Sequence, residues 1–152
     1  MGIGSLPRRV LMDLITAGRI TGIDPKLAQS ASLDLPIGEE CYRVGSIFLP
    51  RTGEPVRECL KRLDAQVHRE GVIYERGVSY LARVAGDFKF LPSVYGYANP
   101  KSTTGRTHTH VRMVADGVPS YDSAVPSGWK GELWLLIIPK SFPVRIPVGK
   151  TL

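Results

Sequence analysis

Leu133-Trp134-Leu135-Leu136-Ile137-Ile138 is the longest apolar run in the chain, and its length decides its reading. A membrane span needs roughly 20 such residues; a run this short suits a buried strand. Upstream, Thr107–Val114 alternates, which places His108, His110, Arg112 and Val114 on one face. Downstream, Phe142–Ile146 reads as another strand. Further out, Glu40–Leu49 reads as a strand with Tyr42, Val44 and Phe48 available for burial, and 51–55 as a turn. Val56–Leu63 fits a short helix or a loop. Gly71–Tyr74 and Val78–Val84 are apolar segments separated by Glu75-Arg76-Gly77. Phe88–Leu91 and Ser93–Ala98 flank Pro92, Ser32–Leu35 is a short apolar piece, and 116–128 is a loop rich in Gly and Pro. Residues 7–18 are the exception: Val10, Leu11, Leu14 and Ile15 fall at helical spacing, with Pro7 suited to a first turn and Gly18 to a stop. Many short strands after one helix predict an all-β, mainly β sandwich or barrel with a short N-terminal helix.

The bulk properties agree. A length of 152 residues argues for a single domain over 1–152, and 43% hydrophobic with 22% charged residues argues against disorder. With 12 Pro and 16 Gly, long helices are not expected. The N-terminus lacks the apolar centre of a secretory signal, and Leu6 sits where a myristoylation signal wants Ser or Thr. Cys41 and Cys59 form neither a CxxC nor a disulfide framework, so reduced cysteines in a cytoplasmic protein are expected. There are 20 Lys and Arg against 14 Asp and Glu, a formal charge of +6. The cations are scattered, as at Arg8-Arg9, Lys61-Arg62, Arg106 and Arg112. Charge alone therefore supports a nucleic-acid partner only weakly, and a phosphate-bearing ligand equally well.

Few residues form a chemical constellation. His108-Thr109-His110 has strand spacing for zinc but no third ligand at a matching distance. No GxSxG elbow, P-loop or GxGxxG is present. The richest segment is Ala98-Asn99-Pro100-Lys101-Ser102-Thr103-Thr104-Gly105-Arg106, where hydroxyls and two cations suit phosphate oxygens. A polar loop capping a helix through Ser102 or Thr103 has the same composition.

Four motifs in order resemble one family. Leu14-Ile15-x-x-Gly18-Arg19-Ile20 and Pro25 lead into Gln29-Ser30-Ala31-Ser32-Leu33-Asp34-Leu35-x-x-Gly38. Lys101–Arg106 resembles a nucleotide loop of the form RSS-x-x-R. Tyr121-Asp122 and Gly128-Trp129-Lys130-Gly131 resemble a DPGW-x-G turn with four extra residues. Over 6–152 the chain is similar to the dCTP deaminases of the dUTPase-like superfamily, and above all to the N-terminal module of longer two-module alphaproteobacterial-type members. The resemblance implies a β-clip distorted barrel and a homotrimer with nucleotide sites between subunits. It implies zinc-free hydrolysis of dCTP to dUTP and ammonia, with Mg2+ on the triphosphate. Carried over by position, Ser102 orients the water or the base, and Arg106 organises water and a catalytic carboxylate. Lys101 and Thr103 lie near phosphates. Backbone groups around Met113 and Ala115 read the pyrimidine, and Asp122 lies near the deoxyribose or a neighbouring subunit.

The chain departs from the family at two places. The family's catalytic glutamate falls five residues after the glycine of the tryptophan turn, which here is Leu136, a residue that cannot accept a proton. Glu132 is read on the same strand face, but roughly 13 Å away at about 3.3 Å per residue. Family members also continue past Leu152 with a segment that closes over the triphosphate, so a separate C-terminal module is an expected partner. The alternative to a deaminase acting on a deoxycytidine or deoxyuridine triphosphate is therefore a catalytically impaired nucleotide-binding or trimer-forming module of the same fold.

Overall fold

A computed structural model describes residues 4–45, 49–69, 71 and 73–152. Helix α1, Arg8–Thr16, starts after Pro7 and buries Leu11 and Leu14. Gly18, at φ +67°, ends that turn in the left-handed region, where glycine carries no Cβ penalty. Strand β1 is Ile20–Thr21, followed by a 3-10 turn at Pro25–Leu27 that Asp24 caps through the Lys26 amide. Then come β2 (Ile37–Val44), α2 (Val56–Arg62), β3 (Gln66–Val67), β4 (Ser79–Val84), β5 (Asp87–Lys89), α3 (Ser102–Arg106), β6 (Thr109–Ala115), β7 (Lys130–Gly131) and β8 (Leu133–Pro139).

All strand pairs are antiparallel. One sheet has the order β3-β2-β4-β8-β6, the other β1-β5-β7. Every residue of β8 is buried, because β4 and β6 flank it and both of its faces are covered. That is why its sequence is an unbroken apolar run rather than an alternation. Leu133, Leu135 and Ile137 join the main core with Tyr80, Ala82, Val84, Phe88, Val111 and Met113. Trp134, Leu136 and Ile138 join a second cluster with Val56 and Leu60 of α2, Leu81 and Val114. The tight turn from β4 to β5 needs Gly86: a Cβ there would lie 2.4 Å from the Thr21 carbonyl oxygen.

Several expected strands are not strands. Phe142–Ile146 contributes one bridge, Val144 to Tyr74, since Pro143 and Pro147 bring no N–H to a ladder. Ser93–Ala98 likewise gives Gly96 to Val125, Ser32–Leu35 gives Leu33 to Ala28, and among the described residues of Gly71–Tyr74 only Tyr74 forms a bridge. Strand β2 begins three residues before the expected Glu40 and ends at Val44; Phe48 lies outside the described residues. Val56–Leu63 resolves as a helix. His108 precedes β6 at φ +50°, so it leaves the face that His110, Arg112 and Val114 share. No helix among the described residues is long and apolar enough to cross a membrane.

Candidate functional site

The polar segment expected to bind phosphate folds as α3. Lys101 is its N-cap in extended geometry, and no side chain caps it. A single turn of helix puts Ser102 and Arg106, four apart, on one side. Both are exposed, as is Thr103, while Thr104 is buried. Among the described residues Ser102, Thr103 and Arg106 have no side-chain hydrogen-bond partner. Lys101 differs: its Nζ lies 2.6 Å from Asp34 Oδ2 and 3.1 Å from Thr151 Oγ1. Asp34, from the Ala31–Leu35 box, thus ties the entry to α3 to the start of the chain.

A cavity of about 670 Å³ opens beside this segment. Leu11, Leu14, Phe88, Phe90, Val111 and Leu135 give it apolar walls, and Asp34, Asn99, Lys101 and Asp122 add polar groups. The cavity brings Lys101, Met113 and Asp122 together; Ser102, Thr103, Arg106 and Ala115 do not line it. At its Met113 wall the backbone is engaged. The Met113 amide donates to Asp122 Oδ1 at 2.7 Å, and the Asp122 amide donates to the Met113 carbonyl at 3.0 Å. Arg112 Nη1 donates to Asp122 Oδ2 at 2.7 Å, and Arg112 Nε donates to His110 Nε2 at 2.9 Å. Burial, then the Arg112 and Lys140 charges, hold His110 below the usual imidazole range, which suits this acceptor role. The Ala115 carbonyl accepts from the Val118 amide.

The position of the missing glutamate is clear in this frame. Leu136 is 3% exposed and lies on the face opposite Leu135 and the apolar cavity wall. Glu132 is not on β8 but just before it, and its carboxylate is spoken for. Arg57 Nε donates to it at 2.7 Å and Arg83 Nε at 2.9 Å. Arg57 also forks onto both oxygens of Glu40, at 2.7 Å each, and sits 5.4 Å from the Trp134 ring centroid. Burial raises the Glu40 carboxyl, but the bonds from Arg57 and Tyr42 outweigh it and hold it below its usual value. Sequence reasoning missed Glu40, Arg57 and Arg83, whose bonds to one another and to Glu132 span 17 to 75 residues. Asp34 was visible in its motif, yet its cation was not.

The model of the 2'-deoxycytidine 5'-triphosphate deaminase N-terminal domain matches residues 2–152. The chain belongs to that family. It is also similar to the crystal structure of 2'-deoxycytidine 5'-triphosphate deaminase from Agrobacterium tumefaciens, at a TM-score of 0.90 and 31% identity. The match covers 98% of this chain and 46% of that one, so this chain spans less than half that protein's length. None of the curated proteins compared with the chain matches it. The mainly β architecture, with two antiparallel sheets and three short helices among the described residues, is thus the dUTPase-like fold of the dCTP deaminase family.

Proposed function

We propose that this chain serves the hydrolytic deamination of dCTP, in which water displaces the cytosine amino group to give dUTP and ammonia, as a cytoplasmic homotrimer in pyrimidine deoxynucleotide metabolism. One observation carries the reading: within a chain of this family, Ser102 and Arg106 stand exposed on one side of α3 with no side-chain hydrogen-bond partner among the described residues. A hydroxyl and a guanidinium so placed are free to orient water and to hold an anion. Thr103 and Lys101 would meet the phosphates, Lys101 after leaving Asp34. Backbone groups at Met113 and Ala115 would read the pyrimidine edge, with Asp122 near the deoxyribose.

Magnesium would arrive on the triphosphate. Among the described residues no three His, Cys, Asp or Glu gather to hold a metal, and Asp34 and Asp122 at the cavity are both ion-paired. The residues therefore do not fit a resident ion. The proton acceptor would come from a C-terminal module or another chain, since Leu136 holds the expected position.

A second reading has its own support. Leu136 in an apolar cluster favours a nucleotide-binding or trimer-forming module without turnover. Incubation with dCTP and Mg2+ in the presence of the C-terminal module, with dUTP and ammonia quantified, separates the two. Under the first reading dUTP forms, and Ser102→Ala and Arg106→Ala each lower the rate about 100-fold, a typical loss for a positioned catalytic group. Unchanged dCTP together with a nucleotide-dependent rise in Tm selects the second, because a ligand of the native state must stabilise it. Neither turnover nor a Tm shift removes both as nucleotide functions.

A further inference from the structure

Asp122 makes three bonds, two of which occupy one backbone position. It lies in the loop between β6 and β7 at φ +51°, a left-handed conformation uncommon for a residue with a Cβ. Its side chain is only 16% exposed. Strand β6 is an edge strand of its sheet, so alternate residues turn their N–H and C=O away from β8. At Met113 both outward groups are used by Asp122: Oδ1 accepts from the N–H at 2.7 Å, and the Asp122 N–H donates to the C=O at 3.0 Å. Arg112 clamps the remaining oxygen at 2.7 Å.

One acceptor beside one donor is the pattern a pyrimidine presents on its pairing edge. Cytosine offers ring N3 as acceptor and its amino group as donor; uracil offers O4 and the N3–H. Asp122 offers the same pair from a carboxylate oxygen and an amide. We infer that Asp122 is an internal occupant of the pyrimidine-reading edge, and that a nucleotide binds only when this residue withdraws from Met113. The inference rests on the nucleotide reading above and adds its regulation. It also accounts for the Arg112 contact: the guanidinium stabilises the closed arrangement, and on opening it keeps its bond to His110 while its Nη1 is released beside the vacated edge. Binding affinity then falls by the fraction of molecules in which the edge is open.

Titration calorimetry of the full chain with Mg2+–dCTP tests this, using Asp122→Ala and Asp122→Asn. Alanine deletes the acceptor and the Arg112 clamp. Asparagine keeps an oxygen for the Met113 amide and tolerates φ +51°. The alanine variant is expected to bind about tenfold more tightly or better, the gain from a closed state populated at about 90%; the asparagine variant should lie between it and the unmodified chain. Amide hydrogen exchange supplies a second readout. The Met113 amide should exchange slowly in the unmodified chain, quickly in the alanine variant, and slowly again when dCTP is added. If alanine proves too destabilising, Asp122→Gly suits the backbone and removes the same side chain. Equal affinity in all forms overturns the inference and leaves the nucleotide reading standing. Weaker binding by the alanine variant also overturns it, and makes Asp122 a ligand of the nucleotide. No binding by any form overturns the inference and the nucleotide reading together.

Discussion

Leu136 shows how one residue can carry opposite meanings at two levels of description. By motif count it replaces a proton acceptor; by position it is a core residue, packed with Trp134, Val114 and Leu81. A carboxylate introduced there must either be desolvated or stay protonated. Its cross-strand neighbour is Arg112, already engaged by Asp122. Leu136→Glu is therefore expected to lower unfolding stability by about 2–4 kcal/mol, within the range for polar burial in a core. Leu136→Met, which conserves volume, should cost less than about 1.5 kcal/mol. Urea denaturation of both variants measures this. Equal stability of the glutamate variant would mean that the site opens to solvent or to a cation, and that the cluster does not exclude charge.

Helix α2 is an element whose place depends on charges the sequence does not pair. Val56, Cys59 and Leu60 bury its inner side. Arg57 then joins it to Glu40 of β2 and to Glu132, while Arg62 pairs with Glu54 just before the helix. The Arg51 amide, then Arg62, hold the Glu54 carboxyl down to about 2. Glu40 is also held down, despite its burial. A carboxyl lowered by folding stabilises the fold above its unfolded value and loses that contribution as pH falls through its folded value. Stability should thus be level above about pH 5 and decline from there toward pH 2. Glu54→Gln should flatten the lower part of that decline. Arg57→Ala should cost about 1–2 kcal/mol at pH 7, since two half-buried carboxylates then face each other with less cation between them. Denaturation midpoints from pH 7 to 2 check both. A decline that persists unchanged in Glu54→Gln would assign it to other groups. The elements themselves were unevenly legible. The strand at Leu133 announced itself because both faces are buried, and the helix at Arg8 because one is. Segments crossed by Pro, such as Phe142–Ile146, matched strands in apolar content while making a single bridge. Composition reports burial there, and the ladder needs N–H groups that burial does not supply.

At the scale of the molecule, seven of the 20 Lys and Arg have partners among the described residues: Arg43, Arg57, Lys61, Arg62, Arg83, Lys101 and Arg112 pair with carboxylates, and the excess of +6 remains. The candidate site was legible as a motif at Lys101–Arg106, but the Lys101–Asp34 and Arg112–Asp122 pairs were not, because spacing carries no information about which carboxylate a cation will meet. What the fold leaves open also bears on assembly. Tyr95 and Tyr97 are 59% and 64% exposed and border the same cavity as Asp122, with the edge strand β6 forming one of its walls. Amphipathic rings beside an edge strand suit a surface that a second copy covers. Light scattering should then give a mass of about 50 kDa for three 16.7 kDa chains. Tyr97→Glu, which sets a charge in that surface, should move the population toward the single-chain mass without lowering the stability of the fold, since the ring packs little within its own chain. A monomer at micromolar concentration would remove the trimer from the proposal. A trimer indifferent to Tyr97→Glu would place the interface on another face, and would leave the tyrosines free to stack on the base of a nucleotide held at Met113.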